Sequence, residues 1–139
     1  MAAKFRIPAD LVDDVRVGLH SVVGDAAGRI SALVDLPDRE KHPDRYAEHR
    51  ALLDAAVGLL DVIGWRHDGR LEAVEVELGE HRDVLMQAVQ VMRSIALSDL
   101  DEAGLIERER AARGQAPMGQ DAARGLARLD DLMARLWKP

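Results

Sequence analysis

The chain contains no cysteine. That absence rules out a disulfide framework, a thiolate metal centre and a cysteine nucleophile, and it fits a cytoplasmic location. Threonine is missing as well, and serine occurs only at Ser21, Ser31, Ser94 and Ser98. None of these serines stands in a Gly-x-Ser-x-Gly turn, so a hydroxyl nucleophile has no support in the sequence. Aromatic residues make up 3%, namely Phe5, Tyr46, Trp65 and Trp137. That is too few to stack the bases of a single nucleic-acid strand. Lysine occurs only at Lys4, Lys41 and Lys138. The remaining cations are arginines among abundant Ala, Val, Leu and Gly, a pattern of GC-rich coding that carries no functional weight. No uncharged run approaches the ~18 residues of a membrane span. The opening segment, with Lys4, Arg6, Pro8, Asp10, Asp13 and Asp14, lacks the apolar stretch of a secretion signal.

What is present suits one small folded domain. The 139 residues are 47% hydrophobic and 32% charged, enough apolar side chain for one core. The net charge of −6 argues against a protein that coats nucleic acid.

Apolar residues recur at helical spacing along most of the chain. The first helix is expected from Pro8 to Val34, with a stripe of Leu11, Val15, Leu19, Val22, Val23, Ala26, Ile30 and Leu33. Gly18, Gly24 and Gly28 weaken it or permit a close helix approach. A loop over 35–42 leads to a second helix from Pro43 to Ile63, ended by Gly64. A third helix is expected from Leu71 to Leu97. Ser98 and Asp101 have capping-box spacing, so a fourth is expected from Asp99 to Arg113. After a break over 114–119, a last helix runs from Gln120 to Trp137. No strand is expected beyond Phe5-Arg6-Ile7, and residues 1–7 read as an N-terminal tail. The architecture is an all-α, mostly antiparallel bundle of four to five helices in a single domain.

Two histidines fall on apolar stripes: His49 in the second helix and His81 in the third. Glu77, one turn before His81, is placed to orient its ring, as carboxylates do for ligating imidazoles. His49, His81 and Glu77, with His20 or Asp54, are therefore candidates for a metal or small-ligand site in the bundle core. The bland alternative is a pair of core histidines bonded to backbone or carboxylates. No Glu-x-x-His or His-Glu-x-x-His motif occurs, and no phosphate-binding glycine loop. No cofactor is expected.

The segment Lys4-Phe5-Arg6-Ile7-Pro8, followed by Ala9-Asp10-Leu11-Val12-Asp13-Asp14-Val15, resembles the opening of ribbon-helix-helix repressors and antitoxins. The resemblance implies a short strand, paired across a dimer, that presents Lys4 and Arg6 to DNA and Phe5 and Ile7 to the core. It covers about twelve residues; the family's short turn between helices has no clear counterpart at Gly24 or Gly28. The alternative is a tail whose Phe5 and Ile7 staple the first helix to the bundle.

Among these readings, the expected function is that of a small acidic helical module for protein–protein interaction or dimerisation, without catalytic activity. Its partner is a second copy or another protein rather than nucleic acid or membrane. The apolar breadth of the third helix marks the interface candidates Val84, Val91 and Leu97, beside Val76, and Trp137 joins them near the chain end. The alternatives are a ligand-binding protein or enzyme using His49 and His81, and a regulator using Lys4 and Arg6.

Overall fold

The computed structural model describes residues 3–36, 43–67, 69, 72–117 and 121–137, and it opens on a strand. Lys4 to Ile7 alternate basic and apolar, and β1 (Lys4–Ile7) turns Phe5 and Ile7 inward and Lys4 and Arg6 to solvent. The strand prevails over a tail because it has a partner. β2 (Val74–Glu77) pairs with it antiparallel, setting Lys4 against Glu77, Phe5 against Val76, Arg6 against Glu75 and Ile7 against Val74.

β2 corrects the expectation of a helix beginning at Leu71. Val74, Leu78, His81 and Leu85 suit a helical stripe, but Val74, Val76 and Leu78 equally suit a strand. The hydrogen-bonding ladder offered by β1 decides between the two periods. Val76 and Leu78 are buried by it.

A single 3-10 turn follows each strand, at Ala9–Leu11 and at Gly79–His81. Each turn feeds a long helix, α1 (Val12–Val34) or α3 (Arg82–Ala112), and each long helix is followed by a second, α2 (Pro43–Ile63) or α4 (Asp121–Trp137). The bounds of α2 are those expected from the sequence, and α4 is described from Asp121, the expected start at Gln120 lying outside the described residues. The loops expected over 35–42 and 114–119 lie partly outside the described residues. Gly64 ends α2 with a positive φ of 103° and its N–H bonded to the Leu60 carbonyl. A separate helix starting at Asp99 is not formed: α3 runs through Ser98 to Ala112. Ser98 and Asp101 have the spacing of a cap, but no Gly or Pro lies between Gly79 and Gly104, so nothing stops the helix. Among the described residues, four long helices and one two-stranded ribbon thus make a predominantly α-helical bundle.

The element order therefore runs twice: strand, 3-10 turn, long helix, second helix. Burial repeats with it. Leu11 and Val84, Val12 and Leu85, Val15 and Ala88, Ala56 and Leu129, Leu59 and Leu132, and Leu60 and Met133 are all buried, every pair separated by the same interval. The two long helices form the seam between the halves, with α2 on the outer side of α1 and α4 on that of α3. At the crossing Gly18 meets the backbone of Ala88, where a Cβ would penetrate the Ala88 carbonyl. Gly18 thus provides the close approach expected of the helical glycines, whereas Gly24 and Gly28 face open space. α2 and α3 touch only slightly, although they are consecutive long helices. Ile7, Leu19, Leu59, Leu60, Leu85, Leu132 and Leu136 centre the core. Each such side chain contributes about 1.5–3 kcal/mol by leaving water.

Candidate functional site

Polar chemistry concentrates first where α2 ends against α1. Arg16 is the one charged side chain buried among the described residues, at 8% exposure. Its Nε donates to the Gly64 carbonyl at 2.9 Å and its Nη2 to the Ile63 carbonyl at 3.4 Å. These are carbonyls that a helix end leaves without partners, so the guanidinium works as a C-terminal cap from another helix. Its Nη1 is bound by the Asp13 carboxylate, which also accepts from His67 Nδ1 at 2.9 Å. His20 Nε2 donates to the Trp65 carbonyl at 2.7 Å and meets the Trp65 ring edge-on, while Trp65 Nε1 donates to Asp61 at 2.7 Å. Asp13, Arg16 and His20 of α1 together hold the chain segment after α2. These bonds tie α1 to the end of α2, so the cluster works as a structural latch.

The expected histidine pair is divided between two places. His49 lines an open cleft of about 490 Å³ between α1, α2 and the start of α3. Leu52, Ala55 and Val84 form the apolar part of its wall, and Asp25, Arg29, Glu48, Glu80 and Asp83 supply charge. Arg29 is already paired with Asp25 at 3.1 Å. His81 sits in the 3-10 turn before α3, beside Gly58 of α2. Its Nδ1 donates to the backbone carbonyl of Glu77 at 3.1 Å, and its Nε2 lies 3.9 Å from the Glu80 carboxylate. The expected contact from the Glu77 carboxylate is not made: the bond to His81 comes from the Glu77 main chain, and the carboxylate belongs to the solvent face of β2. Glu80 borders both the cleft of His49 and the hollow of His81. His20 is engaged in the latch and Asp54 pairs with Arg50 at 3.2 Å. Among the described residues, no three His, Asp or Glu side chains converge on one metal position.

The second half holds a smaller groove, of about 210 Å³, lined by Asp14, Met92, Ile95, Ala96, Asp99, Ala122, Gly125 and Leu129. Burial against this wall pushes the Asp14 carboxyl above its ordinary value, and the nearby charges of Asp13 and Asp10 add to the rise. Asp10 shifts the other way. Arg128 grips it with Nε at 2.8 Å and Nη2 at 2.9 Å, and these bonds hold the Asp10 carboxyl below its ordinary value. Arg135 covers the outer ribbon from the same helix, 4.7 Å above the Phe5 ring and bonded to the Arg6 carbonyl at 3.1 Å.

Of the interface candidates, Val84 is taken up by the chain's own core and Val91 is half-buried, whereas Leu97 and Trp137 are exposed, Trp137 to 70%. Two residues that the sequence reading did not single out join them: Leu105, at 63%, and Ile106. Their signal was present, since both are large apolar residues directly before the alternating run Glu107-Arg108-Glu109-Arg110. On the ribbon, Lys4 and Arg6 are exposed, but β1 pairs with β2 of the same chain rather than across a dimer as the resemblance implies, and the register sets Glu77 and Glu75 directly across from them. None of the helices is long and apolar enough to cross a membrane among the described residues.

No protein-family model matches the chain, and comparison with curated proteins and with solved structures gives no significant match.

Proposed function

We propose that the protein is a non-catalytic interaction module that works by docking a helical face on a partner chain. The observation that carries this reading is the large apolar surface left on α3 beyond its packed half, at Leu97, Leu105 and Ile106, with Trp137 on α4. Large apolar side chains left in water along a helix face are where folded proteins associate. The polar clusters are consistent with it, since the latch at Arg16 and the clamp at Asp10–Arg128 are consumed in holding the chain together. Native mass spectrometry of the protein purified without added metal tests the reading. The expected result is concentration-dependent assembly or a stoichiometric partner chain. A solitary monomer at all concentrations overturns it, and bound mass that disappears in His49→Ala or His81→Ala moves the function to the cleft instead.

One observation favours a second reading, a ribbon-helix-helix-like regulator: β1 is a strand in an antiparallel ribbon with Lys4 and Arg6 outward. Two features weigh against it. Glu75 and Glu77 neutralise that face, and α1 continues unbroken through Gly24 and Gly28 where the family turns early. This reading requires salt-dependent DNA binding that Arg6→Ala abolishes. Absence of binding at low salt removes it.

A further inference from the structure

α3 outruns its neighbours. Asp14 of α1 and Ala122 of α4 meet it in the groove around Met92 to Asp99. Beyond that level it continues to Ala112, about 20 Å of further helix at helical rise. The turn that follows covers one side of this extension, with Gln115 N–H bonded to the Arg110 carbonyl and the Arg110 guanidinium bonded to the Ala116 carbonyl. Leu105 lies on another side and is exposed. Asp101, Leu105 and Arg108 recur at i, i+4 and i+7, so they form one line along the helix. Both charged members are exposed, and neither bonds to another described residue.

The geometry points to a second copy of this chain as the occupant, paired antiparallel along the extension of α3 about a two-fold axis at Leu105. This inference rests on the interaction-module reading and names its partner. The line is complementary only to its own reverse. In antiparallel register Leu105 meets Leu105 on the axis, Asp101 meets Arg108 of the other copy, and Arg108 meets its Asp101, so one surface supplies both ion pairs. A parallel pair would set Asp101 against Asp101 and Arg108 against Arg108, which like-charge repulsion disfavours.

Sedimentation equilibrium over a wide concentration range tests it, with circular dichroism to check that each variant keeps its helices. Leu105→Glu raises the dimer Kd by at least about tenfold. Asp101→Arg and Arg108→Asp each weaken the dimer, by about tenfold, because each converts both pairs into repulsions. The double variant Asp101→Arg/Arg108→Asp restores it, because the swapped charges are again complementary. Since the chain has no cysteine, Leu105→Cys gives one intermolecular disulfide under mild oxidation. A dimer insensitive to Leu105→Glu, a double variant that stays weak, or a monomer with a different stoichiometric partner overturns the pairing but leaves the interaction module standing. A solitary monomer overturns both.

Discussion

The two halves of the chain are built to one order and finished differently. In the first half α1 and α2 close on each other, and the end of α2 is fastened by a buried arginine whose bonds go to Ile63 and Gly64. The position at the same interval in the second half is Val89, fully buried and apolar, and the α3–α4 pair is held instead by exposed contacts such as Arg93 to Asp130 at 2.6 Å. The first half also keeps its long helix covered further along its length, whereas α3 extends beyond Asp99 with large apolar side chains in water. A duplicated plan leaves each copy free to specialise: one half fixes the fold, and the other supplies the surface that the proposed function needs.

The largest effect is expected where the halves touch. Gly18→Ala places a methyl inside the Ala88 carbonyl, and because both atoms involved belong to backbone the helices must separate. The expected loss is about 3 kcal/mol, read as a lowered urea midpoint. Gly28→Ala on the same helix meets nothing within 4 Å and should gain about 0.5–1 kcal/mol. Equal effects from the two would break the assignment of Gly18 to the seam.

Arg16→Met probes the latch that only the first half owns. It removes bonds to two helix-end carbonyls while keeping much of the side-chain volume, and the expected cost is about 2 kcal/mol. Amide exchange sharpens the comparison. Protection should fall around Gly64 and the end of α2 before it falls in α4.

The smallest effect concerns two carboxylates close together at the start of α1 that respond oppositely to pH. Asp14 has a raised value in the folded chain, so folding binds this proton more tightly than the unfolded chain does. Its favourable contribution is complete below the ordinary 3.8 and is lost as pH rises through the folded value. Asp14→Asn therefore stabilises at pH 7, by about 1 kcal/mol or less, and the gain vanishes below pH 3.8. Asp10 has a lowered value, so its stabilising share is present at neutral pH and is lost as acid protonates it. Asp10→Asn should accordingly lower the melting temperature slightly at pH 7 and not at all in strong acid. Thermal melts of both variants from pH 7 to pH 3 check the opposite signs.

How much of this was legible in the sequence depended on whether the deciding contact was local. α2 was readable to the residue because Pro43 opens it and Gly64 closes it. α4 was readable because Leu129, Met133 and Leu136 keep one face. β2 was not, because Val74 to Leu78 fits both periods and its partner strand lies at the other end of the first half. The unbroken α3 was missed because a serine and an aspartate mimicked a cap inside a stretch that nothing interrupts. The repeated order was not legible because what repeats is burial, with little identity of residue: Val15 answers to Ala88, and Leu60 to Met133. Of the candidate site, Glu77 and His81 were read as a carboxylate and the ring it orients, one helical turn apart; with Glu77 in a strand, a backbone carbonyl makes the contact instead. The latch needed a fold to bring Arg16 to Gly64.

The ribbon also sets an order for biosynthesis. Phe5 and Ile7 leave the ribosome before the strand that hydrogen-bonds their backbone, which ends at Glu77, and Gly18 waits for Ala88. The nascent first half must therefore pass through a stage in which its helices are made while its strand edge and seam are bare, the state most exposed to chaperone capture or to a neighbouring nascent chain. Closure then depends on contacts distant in sequence, among them Asp10 to Arg128 and the Arg6 carbonyl to Arg135.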